Sequence, residues 1–287
     1  MDITSPHDQG GHAEDVQLWR SEALGGLDLI HGRFAHFSFT PHAHEEFFIA
    51  VTESGSAAPR FWGGTQHVGR GDLFVLSPGV VHSGGPAGDS VWRYRAFYPP
   101  PGLMERVAAE LTGSARGTVT FAQDMIDDPA SAALLLEAHA GLERPEPSAL
   151  ARETRLLEAL AALAIRHAAA PLPISRIGQE HRAVRRARQL LDALPAENVS
   201  LDALAHEAGL SAFRLCRVFR RETGLSPHAY QVLVRARLAK SLLAQGISIS
   251  QAAAEAGFFD QAHLTRHFKR IYGVTPGSYA GGLPSWR

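Results

Sequence analysis

The sequence contains little of what marks secreted or membrane-spanning proteins. Its one cysteine, Cys216, cannot form a disulfide within the chain, which excludes an oxidised, disulfide-bonded scaffold. The N-terminal segment lacks the apolar core of a secretory signal. The longest apolar stretch, 156–165, is interrupted by Glu158 and is far shorter than the ~20 residues that cross a bilayer. We therefore expect a cytoplasmic protein with no membrane partner.

The chain also lacks an overall charge excess, but its charges are unevenly distributed. Among its 287 residues, 28 Lys and Arg stand against 29 Asp and Glu, for a formal net charge of −1. Residues 181–287 carry a net charge of +8, and residues 1–180 carry −9. A basic C-terminal third is typical of a segment that binds a polyanion such as nucleic acid, whereas an acidic segment is repelled by one.

The residue pattern changes along the chain. Between about residues 27 and 98, short apolar runs alternate with turns that contain glycine and proline, which predicts a compact β-barrel or sandwich. Segments 103–111, 129–142 and 148–167 have the apolar spacing of helices. Beyond residue 181 the chain is expected to be helical and basic.

The third predicted helix leaves two interpretations open. Leu150, Leu157 and Ala164 recur every seven residues. This spacing fits a helix that packs on its own barrel, and it equally fits a helix that pairs with a second copy of the chain. One or two heptads do not distinguish these interpretations, so a homodimer is an expectation here.

An internal repeat predicts the structure of the basic segment. The stretch LDALAHEAGLSAFRLCRVFRRETGLSPHAY begins at Leu201, and it is matched by ISQAAAEAGFFDQAHLTRHFKRIYGVTPGSY, which begins at Ile249. The offset is 48 residues before the central glycine and 49 after it, so the second copy contains one inserted residue. Each copy predicts a short helix, a glycine turn and a second helix with outward cations. This is the helix-turn-helix, whose second helix enters the DNA major groove.

Residues at the predicted helix ends agree with this interpretation. Ser200, Ser211 and Asp260 stand where N-caps are expected, because their side-chain oxygens accept from free backbone N–H groups. Gly209 stands where the first turn needs a left-handed residue. The expected core pairs, four residues apart on the second helices, are Leu215 with Phe219 and Leu264 with Phe268.

The stretches GLSPHAYQVLVRARLAKSLL and ISISQAAAEAGFFDQAHLTRHFKRIYGVTPGSY resemble the DNA-binding domain of the AraC/XylS family of bacterial transcription regulators. The resemblance spans the whole repeat. It implies two helix-turn-helix units joined by a helix over 227–244, with the second helices in successive major grooves ~34 Å apart. Double-stranded promoter DNA and RNA polymerase are the partners that it implies.

The resemblance assigns DNA contacts to the two second helices, which we call the reading helices. Arg217 and Arg266 are expected to contact guanine in a bidentate manner, and Gln261 suits adenine. Ala262 offers apolar contact, as to a thymine methyl group. The other residues expected at base edges are Phe213, Arg214, Cys216 and His263. The residues expected at phosphates, which position the protein without specifying sequence, are Arg220, Arg221, Lys269 and Arg270.

Histidines form the second candidate site. His42 and His44 are two residues apart and share one face if that segment is a strand. His82 follows a Pro-Gly turn. Two imidazoles from one strand and a third from a neighbouring strand suit Zn²⁺, Fe²⁺, Mn²⁺ or Cu²⁺. A divalent metal is therefore a candidate cofactor, and no other cofactor is expected.

The histidine pattern resembles the cupin-type sensor domain found in the same regulator family, with two departures. Phe47 and Phe48 stand where metal-binding cupin enzymes carry a carboxylate, and Pro86 stands where the last ligand is expected. Three interpretations stay open: a metal site, a pocket for a small organic effector, or histidines that line a barrel. The residues expected to wall such a pocket are Trp62 and Tyr94.

The expected fold class is α+β and multidomain. A cupin-like sensor barrel occupies residues 1–101, a helical linker with dimerisation helices occupies 102–175, and an all-α double helix-turn-helix domain occupies 181–287. The expected function is a sequence-specific transcription regulator controlled by a small ligand, without catalytic residues. The alternatives are a metal-responsive regulator, a cupin metalloenzyme with an accessory helical domain, and a DNA-architectural protein without effector control.

Overall fold

The computed structural model describes residues 14–61, 64–113, 119–143, 148–172 and 180–281. The chain forms two compact units. The N-terminal unit comprises Met1–Ala140 and Glu158–Pro173, and the C-terminal unit comprises Gly141–Leu157 and Ile174–Arg287. No helix of the described residues has the length and apolar content to cross a membrane.

The N-terminal unit is built from antiparallel strands in two sheets. The first sheet has the order β1-β2-β9-β4-β7-β10 and the second has the order β3-β8-β5-β6. The strands are β1 Asp15–Ser21, β2 Leu27–Phe34, β3 Phe39–His42, β4 Phe48–Ser54, β5 Arg60–Phe61, β6 Gly64–Thr65, β7 Leu73–Leu76, β8 His82–Gly84, β9 Trp92–Tyr98 and β10 Met125–Ile126.

An aromatic core fills the space that the two sheets enclose. Side chains from β2, β4, β7 and β9 of the first sheet meet those of β5 from the second sheet. The largest of them are Phe34, Phe48, Phe61, Phe74, Trp92 and Tyr94. Strand β4 is buried along most of its length, because it lies between β9 and β7 in the middle of its sheet. The predicted β-rich fold of this region is confirmed.

Three helices follow the strands, as predicted. They are α1 Pro101–Thr112, α2 Pro129–Glu143 and α3 Ala149–His167. Helix α1 and most of α2 belong to the N-terminal unit, and α3 is divided between the two units at Glu158. The assignment of residues 102–175 to dimerisation, and the boundaries of that segment, stay predictions.

The C-terminal unit consists of helices, which confirms the expected α+β multidomain class. They are α4 His181–Ala193, α5 Leu201–Ala208, α6 Ala212–Thr223, α7 Pro227–Ala244, α8 Ile249–Glu255, α9 Gln261–Tyr272 and α10 Pro276–Gly281. Helices α5 and α6 form the first helix-turn-helix, and α8 and α9 form the second. Helix α7 joins them over the residues that the resemblance implied.

The helix ends and core pairs of both copies match the sequence expectations. Ser200, Ser211 and Asp260 each accept a hydrogen bond from the backbone N–H three residues on, and Gly209 has a φ of 68°. A side chain at that φ is strained, which explains the glycine. The core pairs of the two reading helices are fully buried: Leu215, Phe219, Leu264 and Phe268.

Candidate DNA-binding surface and sensor site

The first reading helix, α6, presents arginines on its outer face. Arg214, Arg220 and Arg221 are exposed, and Arg217 is half-buried. The Arg214 Nε lies 2.6 Å from the Glu180 Oε1, so this arginine is paired within the unit. The Arg217 guanidinium carbon lies 5.6 Å from the centre of a phenyl ring one turn back in the same helix. That contact orients its charged end along the helix surface.

The second reading helix, α9, presents a mixed outer face. Gln261, Ala262 and Arg266 are exposed toward the start and middle of the helix, and Lys269 and Arg270 are exposed in its last turn. The predicted division into base-contacting and phosphate-contacting residues fits this distribution. The individual DNA contacts stay predictions.

Three residues expected at base edges are buried instead. Phe213 and Cys216 are 5% and 4% exposed, and His263 is 9% exposed. The His263 ring lies 5.4 Å from the ring of Phe258 and 4.7 Å from that of His267, so it faces the interior of the unit. A side chain packed inside its own helix-turn-helix does not reach a base edge. Their burial argues against base-edge contact by these three residues, whose role at DNA stays a prediction.

Helix α4 contributes cations that the assignment of reading helices missed. Arg185 and Arg188 line an open cleft together with Arg221 of α6. The Arg188 Nε also donates to the Tyr230 hydroxyl over 3.2 Å, and that hydroxyl donates to the Asp192 carboxylate. The basic run HRAVRRAR in the sequence was the signal for this surface.

A group of histidines and arginines is packed beneath α9. The Nδ1 of His228, on α7, is buried and has no hydrogen-bond partner among the described residues. Burial, Arg155, His267, Arg235 and His263 lower the pKa of His228 to about 3. Burial, His263 and three neighbouring arginines lower the pKa of His267 to about 4. Both imidazoles are therefore neutral at physiological pH.

The start of α3 is tied to the first helix-turn-helix. The Glu153 Oε2 accepts a hydrogen bond of 2.7 Å from the backbone N–H of Leu201, the first residue of α5. The Asn198 Oδ1 accepts one of 2.8 Å from the N–H of Ala149, the first residue of α3. Burial raises the pKa of Glu153, and Asp202 adds to this effect. Each helix thus receives an N-terminal cap from the other segment.

In the N-terminal unit, the structure brings the three candidate histidines together. His42 of β3 is paired with His82 of β8 across the second sheet, and His44 lies just beyond β3. One ring nitrogen from each of the three can be chosen so that all lie within 4.8 Å of one another. The ring centres are 4.4 Å apart for His42 and His82 and 4.8 Å apart for His42 and His44.

Hydrogen bonds set the tautomers of two of these imidazoles. The His42 Nδ1 lies 2.6 Å from the Thr40 carbonyl oxygen, and the His82 Nδ1 lies 3.0 Å from the Val80 carbonyl oxygen. A carbonyl oxygen can only accept, so each Nδ1 carries the proton and each Nε2 has a free lone pair. Burial, with His82 and His42 nearby, lowers the pKa of His44 to about 4.

Aromatic side chains enclose the histidine cluster. The Phe48 ring is stacked on that of His82 at 5.5 Å, in the region where cupin enzymes carry a carboxylate. Tyr94, a predicted wall residue, lines the same cavity and is stacked on Trp92 at 4.2 Å. The cavity has a volume of about 30 Å³. Trp62, the other predicted wall residue, lies outside the described residues.

A polar network on the outer face of the first sheet was not foreseen. The Arg95 Nε donates to the Glu53 Oε1 over 2.6 Å, and the His31 Nε2 lies 3.0 Å from the Glu53 Oε2. Arg95 also contacts the Nδ1 of His139 at 3.0 Å. Alternation along β9 accounts for this placement, because Tyr94 faces the core and its neighbour faces away. Arg95 is therefore not part of the histidine cavity.

Two family models match the chain. A model described as an AraC-like ligand binding domain matches residues 24–161. A model described as a helix-turn-helix domain matches residues 204–281. The first match covers β2 to β10, α1, α2 and most of α3, and the second runs from within α5 to the end of α10.

Curated relatives are named as transcriptional regulators. The chain is 32% identical over 226 residues to the uncharacterized HTH-type transcriptional regulator YbfI of Bacillus subtilis. The aligned residues cover 79% of this chain and 81% of that protein. It is 39% identical over 101 residues to the HTH-type transcriptional regulator RipA of Corynebacterium glutamicum, which covers 35% of this chain and 30% of that protein.

Solved structures give weaker likenesses. A probable AraC family transcriptional regulator from Rhodopseudomonas palustris is 26% identical, covers 36% of this chain and 98% of its own, and has a TM-score of 0.34. A cupin-like protein from Thermotoga maritima is 19% identical, covers 36% of this chain and 84% of its own, and has a TM-score of 0.29.

Proposed function

The chain belongs to the AraC family of DNA-binding transcription regulators controlled by a ligand, and we propose that its ligand is a divalent transition-metal ion. The ion is held by His42, His44 and His82 in the cupin-like domain. DNA is bound by the helix-turn-helix domain, and ligand control of that binding is the established part of the function. The identity of the ligand is the proposed part.

The convergence of three imidazole nitrogens is the observation that carries this proposal. These nitrogens lie within 4.8 Å of one another, and a small inward movement of the rings brings them to the ~2.1 Å coordination distance of Zn²⁺. The backbone carbonyls that fix Nδ1 of His42 and His82 are the partners that ligating imidazoles ordinarily have. Imidazole also suits Fe²⁺, Ni²⁺ and Cu²⁺.

The size of the cavity favours an ion over an organic effector. Its volume is about 30 Å³. Pockets that enclose organic ligands have volumes of roughly 300–1,000 Å³. An ion that keeps one or two water molecules fits the smaller space, whereas an organic effector requires the aromatic wall of Phe48, Trp92 and Tyr94 to move.

The same site argues against catalysis as the purpose of the domain. Three histidines are the donors that the described residues bring together, and Phe48 occupies the region of the carboxylate found in cupin enzymes. We therefore propose a regulator without enzymatic activity. The family to which the chain belongs supports this conclusion.

We further propose that the regulator acts in the cytoplasm as a homodimer and controls transcription by RNA polymerase. Leu134 of α2 and Ile165 of α3 are 38% and 42% exposed. The heptad residues Leu150, Leu157 and Ala164 are buried within the chain. The proposed dimer therefore rests on exposed apolar side chains such as Leu134 and Ile165. On DNA, the outward cations of α6 and α9 supply the predicted contacts.

Metal binding is tested on the full-length protein. The protein is freed of metal by chelation and dialysed against Zn²⁺, Ni²⁺ or, without oxygen, Fe²⁺, and bound metal is measured by mass spectrometry. We expect one ion per chain for at least one of these metals, and at least about tenfold weaker binding in His82→Ala. The matched control, His67→Ala, removes an exposed histidine of the same unit and is expected to bind as the wild type does.

Regulation is tested by titrating selected operator DNA with the metal-free and metal-loaded protein. We expect the affinity to change by a factor of about 5 or more, and the change to be absent in His82→Ala. Less than one bound ion per chain, or binding that is unaffected by His82→Ala, overturns the metal site. An operator affinity that does not respond to a bound ion overturns its role as the effector.

A further inference from the structure

The turn of the second helix-turn-helix contains a residue that has no counterpart in the first. In the first copy, Leu210 alone separates the turn glycine from the N-cap of the reading helix. In the second copy, Phe258 and Phe259 stand between Gly257 and the N-cap Asp260. The second turn is therefore longer by one residue, as the change of offset in the repeat indicates.

Hydrogen bonds identify which phenylalanine is the additional one. The N–H of Leu210 donates to the Ala205 carbonyl oxygen over 3.0 Å, and the N–H of Phe258 donates to the Ala253 carbonyl oxygen over 2.9 Å. Leu210 and Phe258 therefore occupy equivalent positions. Phe259 is the inserted residue, and it directly precedes the cap of α9.

Phe259 points away from the core although it is a large apolar residue. It is 58% exposed, whereas its neighbour Phe258 is 5% exposed and belongs to the core cluster of the unit. Its backbone N–H lies 3.4 Å from the Nδ1 of the buried His263. The hydrogen bond to the buried His263 thus fixes the backbone at Phe259, while the phenyl ring is exposed.

The outer face at this end of α9 presents no cation. Asp260, the N-cap, is exposed next to Phe259, Gln261 and Ala262 follow it, and the first exposed cation, Arg266, comes more than a turn later. In a helix-turn-helix, side chains at the start of the reading helix are the ones that reach base edges. An apolar side chain placed there makes favourable contact with the 5-methyl group of thymine.

We infer that Phe259 is a specificity-determining residue that reads the methyl group of a thymine in the half-site bound by α9. This inference rests on the predicted placement of α9 in the major groove. The first reading helix lacks an equivalent, because Leu210 is only partly exposed and the first large exposed side chain of that helix is Arg214. The two half-sites therefore differ in chemistry, and the second contains a required thymine.

The test uses full-length protein and a duplex operator obtained by selection from random sequence. Each thymine of the second half-site is replaced in turn by deoxyuridine, which removes the methyl group and nothing else. Binding is measured by fluorescence anisotropy at fixed salt concentration. We expect one replacement to weaken wild-type binding by a factor of about 3 to 10.

The variant Phe259→Ala is measured on the same set of duplexes, so that the effects of removing the ring and removing the methyl group can be compared. It is expected to bind the thymine operator more weakly by a similar factor and to make no distinction between thymine and deoxyuridine at that position. Phe37→Ala, which removes a phenylalanine of comparable exposure in the N-terminal unit, is the matched control and is expected to behave as the wild type. Unchanged melting of Phe259→Ala establishes that the fold is retained.

Three outcomes overturn the inference. The first is a wild-type protein that is indifferent to every deoxyuridine, and the second is a Phe259→Ala protein that keeps the thymine preference. The third is a uniform loss of affinity for all sequences, which indicates contact with the sugar-phosphate backbone. Arg266→Ala separates this inference from its premise, because normal operator binding by that variant means that α9 itself is misplaced.

Discussion

The histidine beneath the second reading helix makes the stability of the C-terminal unit depend on pH. His228 is expected to bind a proton with a pKa of 6.5 in the unfolded chain and about 3 in the folded one. Its neutral form is favoured in the folded state, so folding is opposed as the pH falls below 6.5. Between pH 7 and pH 5, this single group removes about 2 kcal/mol from the free energy of unfolding.

Burial is the largest cause of the effect, and the groups that face His228 act in the same direction. Arg155 of α3, His267 and His263 of α9, and Arg235 of α7 all disfavour a proton on its ring. No carboxylate is among the groups that shift this pKa in the described part of the chain. Protonation therefore places an uncompensated charge in the interior.

The perturbation is His228→Leu, which keeps an apolar body and removes the titration. Urea unfolding of the full-length protein is followed at several pH values by hydrogen exchange in peptides of α7 and α9. From pH 7 to pH 5, the free energy of unfolding measured in these peptides should fall by about 2 kcal/mol more in the wild type than in the variant. His206→Leu, at an exposed position on α5, is the control and should keep the wild-type slope. Equal slopes in wild type and His228→Leu would refute the reasoning.

Three further predictions concern DNA contacts, a helix cap and a hydrogen-bonded carboxylate. Arg217→Ala and Arg266→Ala should each lose about 1–3 kcal/mol on the selected operator and relax base preference in gel shifts, whereas Lys269→Ala should weaken all sequences alike and reduce the salt slope by about one. Normal operator binding by both arginine variants would contradict the assigned reading helices. Asp260→Ala should lower the free energy of unfolding by about 1 kcal/mol in thermal melts, and Asp260→Asn should lower it less; equal effects would show that the cap bond is not the cause. Hydrogen bonds from the Ser131 hydroxyl and His167 hold the pKa of Asp128 well below its usual value of 3.8, so Asp128→Asn should destabilise at pH 7, with a difference that shrinks as the pH falls below that value. A difference that grows in acid would contradict this sign.

The repeat made the C-terminal unit predictable in detail. Glycine at the turn and Ser or Asp at the helix starts are local requirements, which is why Gly209, Ser211 and Asp260 could be placed before the structure was known. Their role depends on backbone geometry within a few residues. Long-range packing has no part in it.

The resemblance placed buried residues among the expected base-edge contacts. It gives positions along a helix but not the rotation of that helix about its axis. Phe213 and Cys216 are three residues apart and lie on the inward face with Leu215 and Phe219, a pattern that helical periodicity could have indicated. His263 was not foreseeable in this way. Its ring lies against that of Phe258, which stands where the first copy has Leu210.

In the sensor site, too, the spacing of residues along one segment was predictable from the sequence, whereas contacts between distant segments were not. The spacing of His42 and His44 indicated a shared face, and the arrival of His82 on the neighbouring strand β8 completed the cluster. The hydrogen bond between Glu153 and the N–H of Leu201 joins residues 48 positions apart, and the local sequence pattern of neither segment predicts it. Such contacts depend on how α3 packs within the C-terminal unit.

Hydroxyl-radical footprinting of the full-length protein on its selected operator tests the central claim most directly. Two reading helices in successive major grooves predict two protected regions on one face of the duplex, with centres about 10–10.5 base pairs apart. Arg266→Ala should lose protection in one region and keep it in the other. A single protected region, or protection that follows no fixed spacing, would contradict the account of a regulator that reads DNA with both copies of its repeat.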